Sequence, residues 1–223
     1  MHAILSFLEL LEAHNSVERM HAHQPEYKAA KTALEQLAQE MINQISTFDS
    51  TIGELYPAET IFRLVKDTRF SKDKSPYKTN MGIVIAPWGK KSIFPCYYIH
   101  LQPGNRSFLA CGLYRPEPNV QKAVRDRLVA DRQGFEKILT TIAKTGQRWP
   151  LEGDQYKRVP AWYDKEHPAS ELIKHKDRLM HAPLLDKEII DNWFTQQTID
   201  MFKIICPFNQ RLHAAINTMI INQ

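Results

Sequence analysis

Four short apolar segments constrain the fold of this chain more than any other feature of its sequence. They cover residues 60–66, 81–86, 94–101 and 106–114, are rich in β-branched and aromatic residues, and are separated by turn-forming clusters of Ser, Asp, Pro and Gly. Parallel neighbours in a sheet require a crossover of helical length, whereas these segments are joined by short loops. The pattern therefore predicts four antiparallel strands in a meander.

The side chains of the third segment alternate between the two faces of the predicted sheet. Tyr98 and His100 fall on one face, and Tyr97, Ile99 and Leu101 fall on the other. We expect one face to pack against helices and the other to carry aromatic and polar groups.

Helical periodicity flanks the strand region on both sides. Apolar residues recur at helical spacing over 4–13 and again from Pro25 to Phe48, which predicts an N-terminal helical hairpin. Beyond the strands, the helical segments are 120–128, 134–143, 167–175, 191–205 and 210–220, the last two separated by Pro207, and 178–182 adds a fifth strand. The predicted fold is α+β, with an antiparallel four- or five-stranded meander sheet packed by the N-terminal hairpin and C-terminal helices.

One domain is predicted for residues 1–223, since the sequence contains no repeat, low-complexity tract or Gly/Ser-rich linker. Residues 145–167 have little periodicity and several Trp and Pro residues, which predicts a long ordered loop. Loops of this length are uncommon in compact domains unless they are functional. We therefore expect this one to form a lid or wall of a site.

Composition is typical of a soluble globular protein, since 43% of the 223 residues are hydrophobic and 24% are charged. No apolar run approaches the roughly 18 residues that a membrane span needs, and the N-terminus lacks the basic start of a signal peptide. Cys96, Cys111 and Cys206 form no CxxC or CxxH spacing, which predicts buried thiols in place of disulfides or structural zinc. We expect a cytoplasmic protein without a membrane partner.

Residues 63–78 form a basic loop between the first two predicted strands. Its cations are Arg63, Lys66, Arg69, Lys72, Lys74 and Lys78, against two acids, Asp67 and Asp73. This excess of positive charge equals the formal net charge of the whole chain, +4. Arginine binds phosphate or carboxylate as a bidentate fork and lysine binds them as a compact charge, so the basic loop suits either anion. The alternative is that these cations pair with acids of the chain and hold the loop in shape.

The longest motif in the chain is Asp67-Thr-Arg-Phe-Ser-Lys-Asp-Lys-Ser-Pro-Tyr-Lys-Thr79, preceded by Phe62-Arg63 and followed by Gly82. Further segments are Tyr98-Ile-His-Leu, Lys157-Arg158, His167-Pro168 and Pro207-Phe208-Asn209. Together they resemble the domain of unknown function 2461 (DUF2461) family of conserved hypothetical proteins over almost the whole chain, with departures at Arg19-Met20 and Trp162. The resemblance implies a compact soluble domain and brings no reaction, substrate or cofactor.

Binding of a phosphate-bearing anionic ligand, such as a nucleotide, a phosphometabolite or nucleic acid, is the leading functional prediction. The basic loop and nearby tyrosines interleave cations with aromatic faces, a composition that holds phosphates while stacking bases. The predicted ligand-binding residues are Arg63, Arg69, Lys72, Lys74, Tyr77, Lys78, Tyr98, Lys157, Arg158 and His167, the last three closing over the ligand from the long loop. Nucleic acid would bind with a steep dependence on salt, and a small phosphometabolite with a weaker one.

Two alternatives remain open. An enzyme acting on a phosphorylated substrate would use His100 as a catalytic general acid or base, because it stands at the end of a strand and histidine titrates near neutrality. A histidine that is simply hydrogen-bonded within the sheet would occupy the same position. An adaptor would instead dock the basic loop on an acidic protein partner. The sequence contains no paired carboxylates, P-loop or GxGxxG, so it predicts no metal site, identifies no cofactor and leaves the number of subunits open.

Overall fold

The computed structural model describes residues 1–69, 72–146 and 149–221. Phe70 and Ser71 of the basic loop lie outside these described residues. The strands are β1 (Met81–Ile85), β2 (Cys96–Leu101), β3 (Ser107–Leu113), β4 (Leu151–Glu152) and β5 (Arg178–Leu184). They form one antiparallel sheet in the order β1-β2-β3-β5-β4, so the first three strands are neighbours in chain order and β4 is an edge strand. An α+β fold with a five-stranded sheet is confirmed.

The helices account for most of the remaining described residues. They are α1 (His2–Ala13), α2 (Val17–Ala22), α3 (Gln24–Ser46), α4 (Pro57–Thr60), α5 (Pro118–Ala130), α6 (Arg132–Lys144), α7 (Ser170–Lys174), α8 (Asp186–Ile189) and α9 (Phe194–Ile221), with a 3-10 turn at Gly89–Lys91. None of the helices in the described ranges combines the length and the apolar character needed to cross a membrane.

The chain divides into two compact units. The first comprises Met1–Lys90, Tyr98–Leu109 and Pro183–Ile199, and the second comprises Lys91–Tyr97, Ala110–Ala182 and Asp200–Gln223. The basic loop therefore belongs to the first unit and the segment 145–167 to the second. A single domain over the whole chain stays a prediction.

The N-terminal helices α1 and α3 form the apolar centre of the first unit. Their inward faces bury the predicted positions at helical spacing, including Ile4, Phe7, Leu8, Leu11, Leu34, Leu37, Met41 and Ile45. Burial of each large aliphatic or aromatic side chain is worth about 1.5–3 kcal/mol, so this face stabilises the helical pair without help from propensity. The connection holds a short helix, α2, that the sequence pattern did not predict; Ser16 caps it by accepting a hydrogen bond from the Arg19 amide at 3.1 Å.

The predicted first strand, residues 60–66, is wrong as a regular strand. Thr60 is instead the last residue of helix α4. This helix forms because Pro57 suits its first turn and Glu59 accepts a hydrogen bond from the Tyr56 amide at 2.8 Å. The following residues are extended but make only isolated antiparallel bridges, Ile61 with Ile83 and Val65 with Tyr77. The beginning of this segment pairs with β1 and its end pairs with the last residues of the basic loop, so no continuous ladder forms.

The segment 145–167 contains more regular pairing than a structureless loop. Leu151 and Glu152 form β4, in register with Met180 and Leu179 of β5. Pairing continues at the isolated bridge between Gln155 and His175. The periodicity was missed because β4 is only two residues long, too short for alternation to be visible in the sequence.

The predicted break at Pro207 is also wrong, since α9 runs unbroken from Phe194 to Ile221 with Pro207 inside it. The apolar stripe continues at helical spacing through the proline, with Phe202, Ile205, Phe208 and Leu212 all buried. A proline removes one backbone donor from a helix, and packing of this stripe outweighs that loss.

Candidate functional site

Two hydrogen bonds from one side chain hold the C-terminal end of the basic loop, and we call this pair of bonds the clamp. The side chain of Asn15, between α1 and α2, donates from Nδ2 to the Tyr77 carbonyl at 2.8 Å and accepts at Oδ1 from the Tyr77 amide at 3.1 Å. The two arms of the loop pair through backbone bonds from Lys66 N to Pro76 O and from Lys78 N to Leu64 O, both 2.9 Å. Tyr77 is therefore fixed through its backbone, and Lys78 follows directly after this anchor.

Three cations of the basic loop bind groups within the loop itself. Lys66 pairs with Asp73, and the Arg69 guanidinium forms a fork on Asp67, with Nε to Oδ1 at 3.0 Å and Nη2 to Oδ2 at 2.7 Å. Lys74 donates to the Thr68 carbonyl at 3.0 Å. The hydrogen bonds from Arg69 and Lys66 hold the pKa of Asp67 and of Asp73 below the usual range of a carboxyl. Lys66 and Arg69 therefore pair with acids of the chain as the alternative interpretation expects, and the role of Arg69 and Lys74 in ligand binding stays a prediction.

Arg63 and Lys78 are arranged differently. Neither forms an ion pair with any residue of the described ranges. The Lys78 ammonium is half-buried and lies 5.7 Å from the ring centroid of Phe62. Burial and then the positive charge of Arg63 lower the pKa of Lys78, and the same guanidinium contributes to the low pKa of Asp67. The Lys78 ammonium thus lies beside one aromatic ring and within the electrostatic reach of a second positive charge.

Lys72, another predicted ligand-binding residue, is exposed and makes no hydrogen bond or ion pair within the part of the chain that the structure describes. Its preceding neighbour is one of the two undescribed residues of the loop. Its role in ligand binding stays a prediction.

An aromatic row continues from Phe62 across the first unit. The ring of Phe62 meets Tyr98 edge to face at 6.2 Å between centroids, and Tyr98 lies 5.8 Å from Phe108. The His100 ring stacks on Phe108 at 4.4 Å with only 12° between the planes. Gly82 of β1 permits the arrangement, because a Cβ there would stand 2.7 Å from the Tyr98 hydroxyl. Phe62 and Gly82 were visible in the sequence motif, but without an assigned part in the site.

Both ring nitrogens of His100 are hydrogen-bonded. The Tyr98 hydroxyl is 3.0 Å from Nδ1, and Oε1 of Gln102 is 3.0 Å from Nε2. An amide oxygen can only accept, so Nε2 carries the proton and the Tyr98 hydroxyl donates to Nδ1. The Gln102 amide nitrogen donates in turn to the Thr79 hydroxyl at 3.4 Å. Sequence reasoning missed Gln102 and Thr79, although the period of two along β2 places Gln102 in line with His100.

The remaining predicted residues belong to the second unit. Lys157 and Arg158 are exposed, and neither forms an ion pair with a described residue. His167 accepts a hydrogen bond at Nδ1 from the Ala169 amide at 3.0 Å, just before α7 begins. Closure of these side chains over a ligand stays a prediction. Within the described ranges, no group of three or more His, Cys, Asp or Glu side chains is arranged to hold a metal ion.

Comparison with known proteins gives a match to one family model. The model of the family described as Conserved hypothetical protein (DUF2461) matches residues 3–210. No curated protein and no solved structure gives a significant match. The match confirms the resemblance to this family, and the matched range contains the whole basic loop and the aromatic row.

Proposed function

The chain belongs to the DUF2461 family, and on that premise we propose that it binds a phosphate-bearing anionic ligand between Arg63 and Lys78, beside the ring of Phe62. The family description names no reaction, so the proposal depends on the chemistry of these residues. A nucleotide, a phosphometabolite or a nucleic acid would each supply the phosphate.

The observation that carries the proposal is the proximity of two cations that form no ion pair with a described carboxylate. Burial is the larger cause of the lowered pKa of Lys78, and the positive charge of Arg63 lowers it further, which means that the two positive charges act on each other unfavourably. A phosphate between them would replace this repulsion with two charge-assisted contacts, bidentate from the guanidinium and single from the ammonium. Binding would therefore be strongest for a dianionic group.

The aromatic row suggests what lies next to the phosphate. Phe62 is 39% exposed and Tyr98 is half-buried, so both offer ring surface beside the cationic pair. A ligand that carries a flat ring would gain stacking as well as charge. In this arrangement Arg69 and Lys74 support the loop through their internal bonds, while Lys72, Lys157, Arg158 and His167 remain candidates for outer contacts.

An enzyme acting on the same phosphorylated ligand is the second candidate. The defined protonation of His100, with Nε2–H bonded to Gln102 and Nδ1 bonded by Tyr98, is the observation that favours it. The Tyr98 hydroxyl, hydrogen-bonded to Nδ1, is the group positioned to exchange a proton with His100. Turnover of phosphomonoesters that is lost in His100→Gln, with ligand affinity retained, would support catalysis over binding.

The proposed function is tested by calorimetric titration of the protein with adenosine monophosphate and, separately, with adenosine. We expect adenosine monophosphate to bind and adenosine to bind far more weakly. Arg63→Gln and Lys78→Gln should each weaken binding by roughly tenfold or more, since a charge-assisted hydrogen bond is worth about 1.5–3 kcal/mol. Lys28→Gln is the matched control, because Lys28 is an exposed lysine of the same unit.

Four results would contradict the proposal or redirect it. Absence of saturable binding to the phosphate compounds rejects it, as does equal weakening in Lys28→Gln. Capture of a polyanionic protein with no affinity for phosphate would favour the adaptor alternative. A steep loss of affinity for oligonucleotides with salt, without binding of mononucleotides, would identify nucleic acid as the ligand.

A further inference from the structure

An open groove lies in the second unit, on the surface between α5 and the C-terminal half of α9. Its volume is about 480 Å³, within the range of roughly 300–1,000 Å³ that ligand sites usually have. Ala123, Ala130, Ala215 and Met219 supply an apolar floor. Small side chains on both helices leave this space open, so the groove is a product of the sequence of the two facing helices.

The charged groups around this groove do not cancel. Lys122 is neutralised by Asp126, with 2.6 Å between Nζ and Oδ2. Asp126 also accepts a hydrogen bond from the Tyr163 hydroxyl at 2.8 Å. At one end of the groove, Arg127 and Arg211 share a single carboxylate, that of Asp131, to which the Arg127 Nη2 is 3.6 Å away. Among the described residues, three cations around the groove thus face two carboxylates, and one positive charge has no counter-charge.

The two arginines also have unused donors. Nε of Arg127 and Nε of Arg211 are buried from solvent and have no hydrogen-bond acceptor among the described residues. A buried N–H group without an acceptor costs free energy. Arg127 lines the groove itself, whereas Arg211 lies over the ring of Phe135 at 5.7 Å and is held beside Asp131. The Arg127 side chain as a whole is 42% exposed, so its outer guanidinium nitrogens are the donors that a ligand in the groove can reach.

We propose that this groove binds a small amphipathic carboxylate, with its carboxylate on Arg127 and its apolar chain along the alanine floor. One anionic head matches the one surplus positive charge, and a carboxylate can accept from a guanidinium in a bidentate manner. The apolar body accounts for the alanine and methionine surface, which gains by removal from water. This site is independent of the phosphate site proposed for the first unit.

The experiment is calorimetric titration of the full chain with decanoate, below the concentration at which it forms micelles, in parallel with decanol and acetate. Decanoate should bind saturably, and decanol and acetate should each bind at least about tenfold more weakly, because each lacks one of the two interactions. Amide chemical shifts should move on α5 and α9. Lys78→Gln should leave decanoate affinity unchanged.

Variants separate the two parts of the site. Arg127→Gln should weaken decanoate roughly tenfold or more, while Arg132→Gln serves as the control, since Arg132 pairs with Glu136 on α6 at 2.8 Å. Ala123→Leu should fill the groove and weaken binding with Arg127 intact, which keeps the proposal testable if Arg127→Gln does not fold. Equal binding of decanol, equal binding of acetate, or unchanged affinity in Ala123→Leu would each overturn the proposal.

Discussion

Tyr98 donates its hydroxyl hydrogen to Nδ1 of His100 across 3.0 Å, and this bond supports the Nε2–H tautomer that the Gln102 amide oxygen requires at Nε2. The two residues stand two apart on β2 and share the half-buried face of that strand. Because the donor comes from the same strand, the bond does not depend on any loop. The sheet therefore supplies one of the two hydrogen bonds that orient His100, and Gln102, directly after β2, supplies the other.

Removal of the Tyr98 hydroxyl should weaken the preference of His100 for the Nε2–H tautomer. We expect Tyr98→Phe to lower the Nε2–H fraction of His100, since Nδ1 loses its donor, and to reduce the free energy of unfolding by about 1 kcal/mol. Long-range proton–nitrogen correlation spectra measure the tautomer and urea unfolding measures the stability. Tyr114→Phe, at a tyrosine that is 63% exposed, is the control and should change neither quantity. An unchanged tautomer in Tyr98→Phe would show that other contacts fix the ring.

Gly82 should resist even a methyl group. Gly82→Ala places a Cβ 2.7 Å from the Tyr98 hydroxyl, so we expect a loss of about 1–3 kcal/mol in the free energy of unfolding. In a Tyr98→Ala background the same substitution should cost much less, because the clashing ring is gone. Urea unfolding of the four proteins gives the coupling free energy. An equal cost in both backgrounds would mean that Gly82 is required for its backbone and not for the contact.

The clamp by Asn15 should be worth two hydrogen bonds. Asn15→Ala leaves the amide and the carbonyl of Tyr77 without their partners, and we expect destabilisation of about 1–3 kcal/mol together with faster hydrogen exchange at the Tyr77 amide. Asn43→Ala removes only an exposed bond to Gln39 and should be nearly neutral. Unchanged exchange at Tyr77 would contradict the clamp.

Replacement of Pro207 by alanine should stabilise the protein. It is exposed inside a continuous helix, so Pro207→Ala restores a backbone donor and relieves a steric conflict. We expect the free energy of unfolding to rise by about 1–3 kcal/mol, measured by urea denaturation with an unchanged m-value. A loss of stability would show that packing requires the bend that a proline imposes.

The lowered pKa of Lys78 gives stability a defined dependence on pH. The unfolded chain has the ordinary lysine pKa of 10.5, so between the folded pKa and 10.5 the unfolded state binds more protons than the folded state. The contribution of Lys78 to the free energy of unfolding therefore rises as pH increases through that window. In Lys78→Met this part of the slope should disappear. An identical slope in wild type and Lys78→Met would contradict the lowered pKa.

Features that follow from local periodicity, such as which face of a strand a side chain occupies, were predictable from the sequence. Features that depend on tertiary contacts were not. Alternation along β2 correctly separated Tyr98 and His100 from the buried Tyr97, and free cysteines were expected and found, with burial raising the pKa of the Cys96 thiol to about 12. The partners of the basic loop cations could not be derived, because charge counting does not tell which lysine meets Asp73. The continuity of α9 was missed because a proline is a local signal and the packing that overrides it is not.

The central claim is that Arg63 and Lys78 share one anion, and the pKa of Lys78 tests it most directly. Titration of the lysine ammonium by nitrogen-detected NMR should give a pKa below 10.5 in the free protein, raised by Arg63→Gln and raised further by saturating adenosine monophosphate in the wild type. A bound phosphate stabilises the charged ammonium, so the shift on binding must be upward. A pKa of Lys78 that does not respond to adenosine monophosphate, or that responds equally to adenosine, would contradict the account.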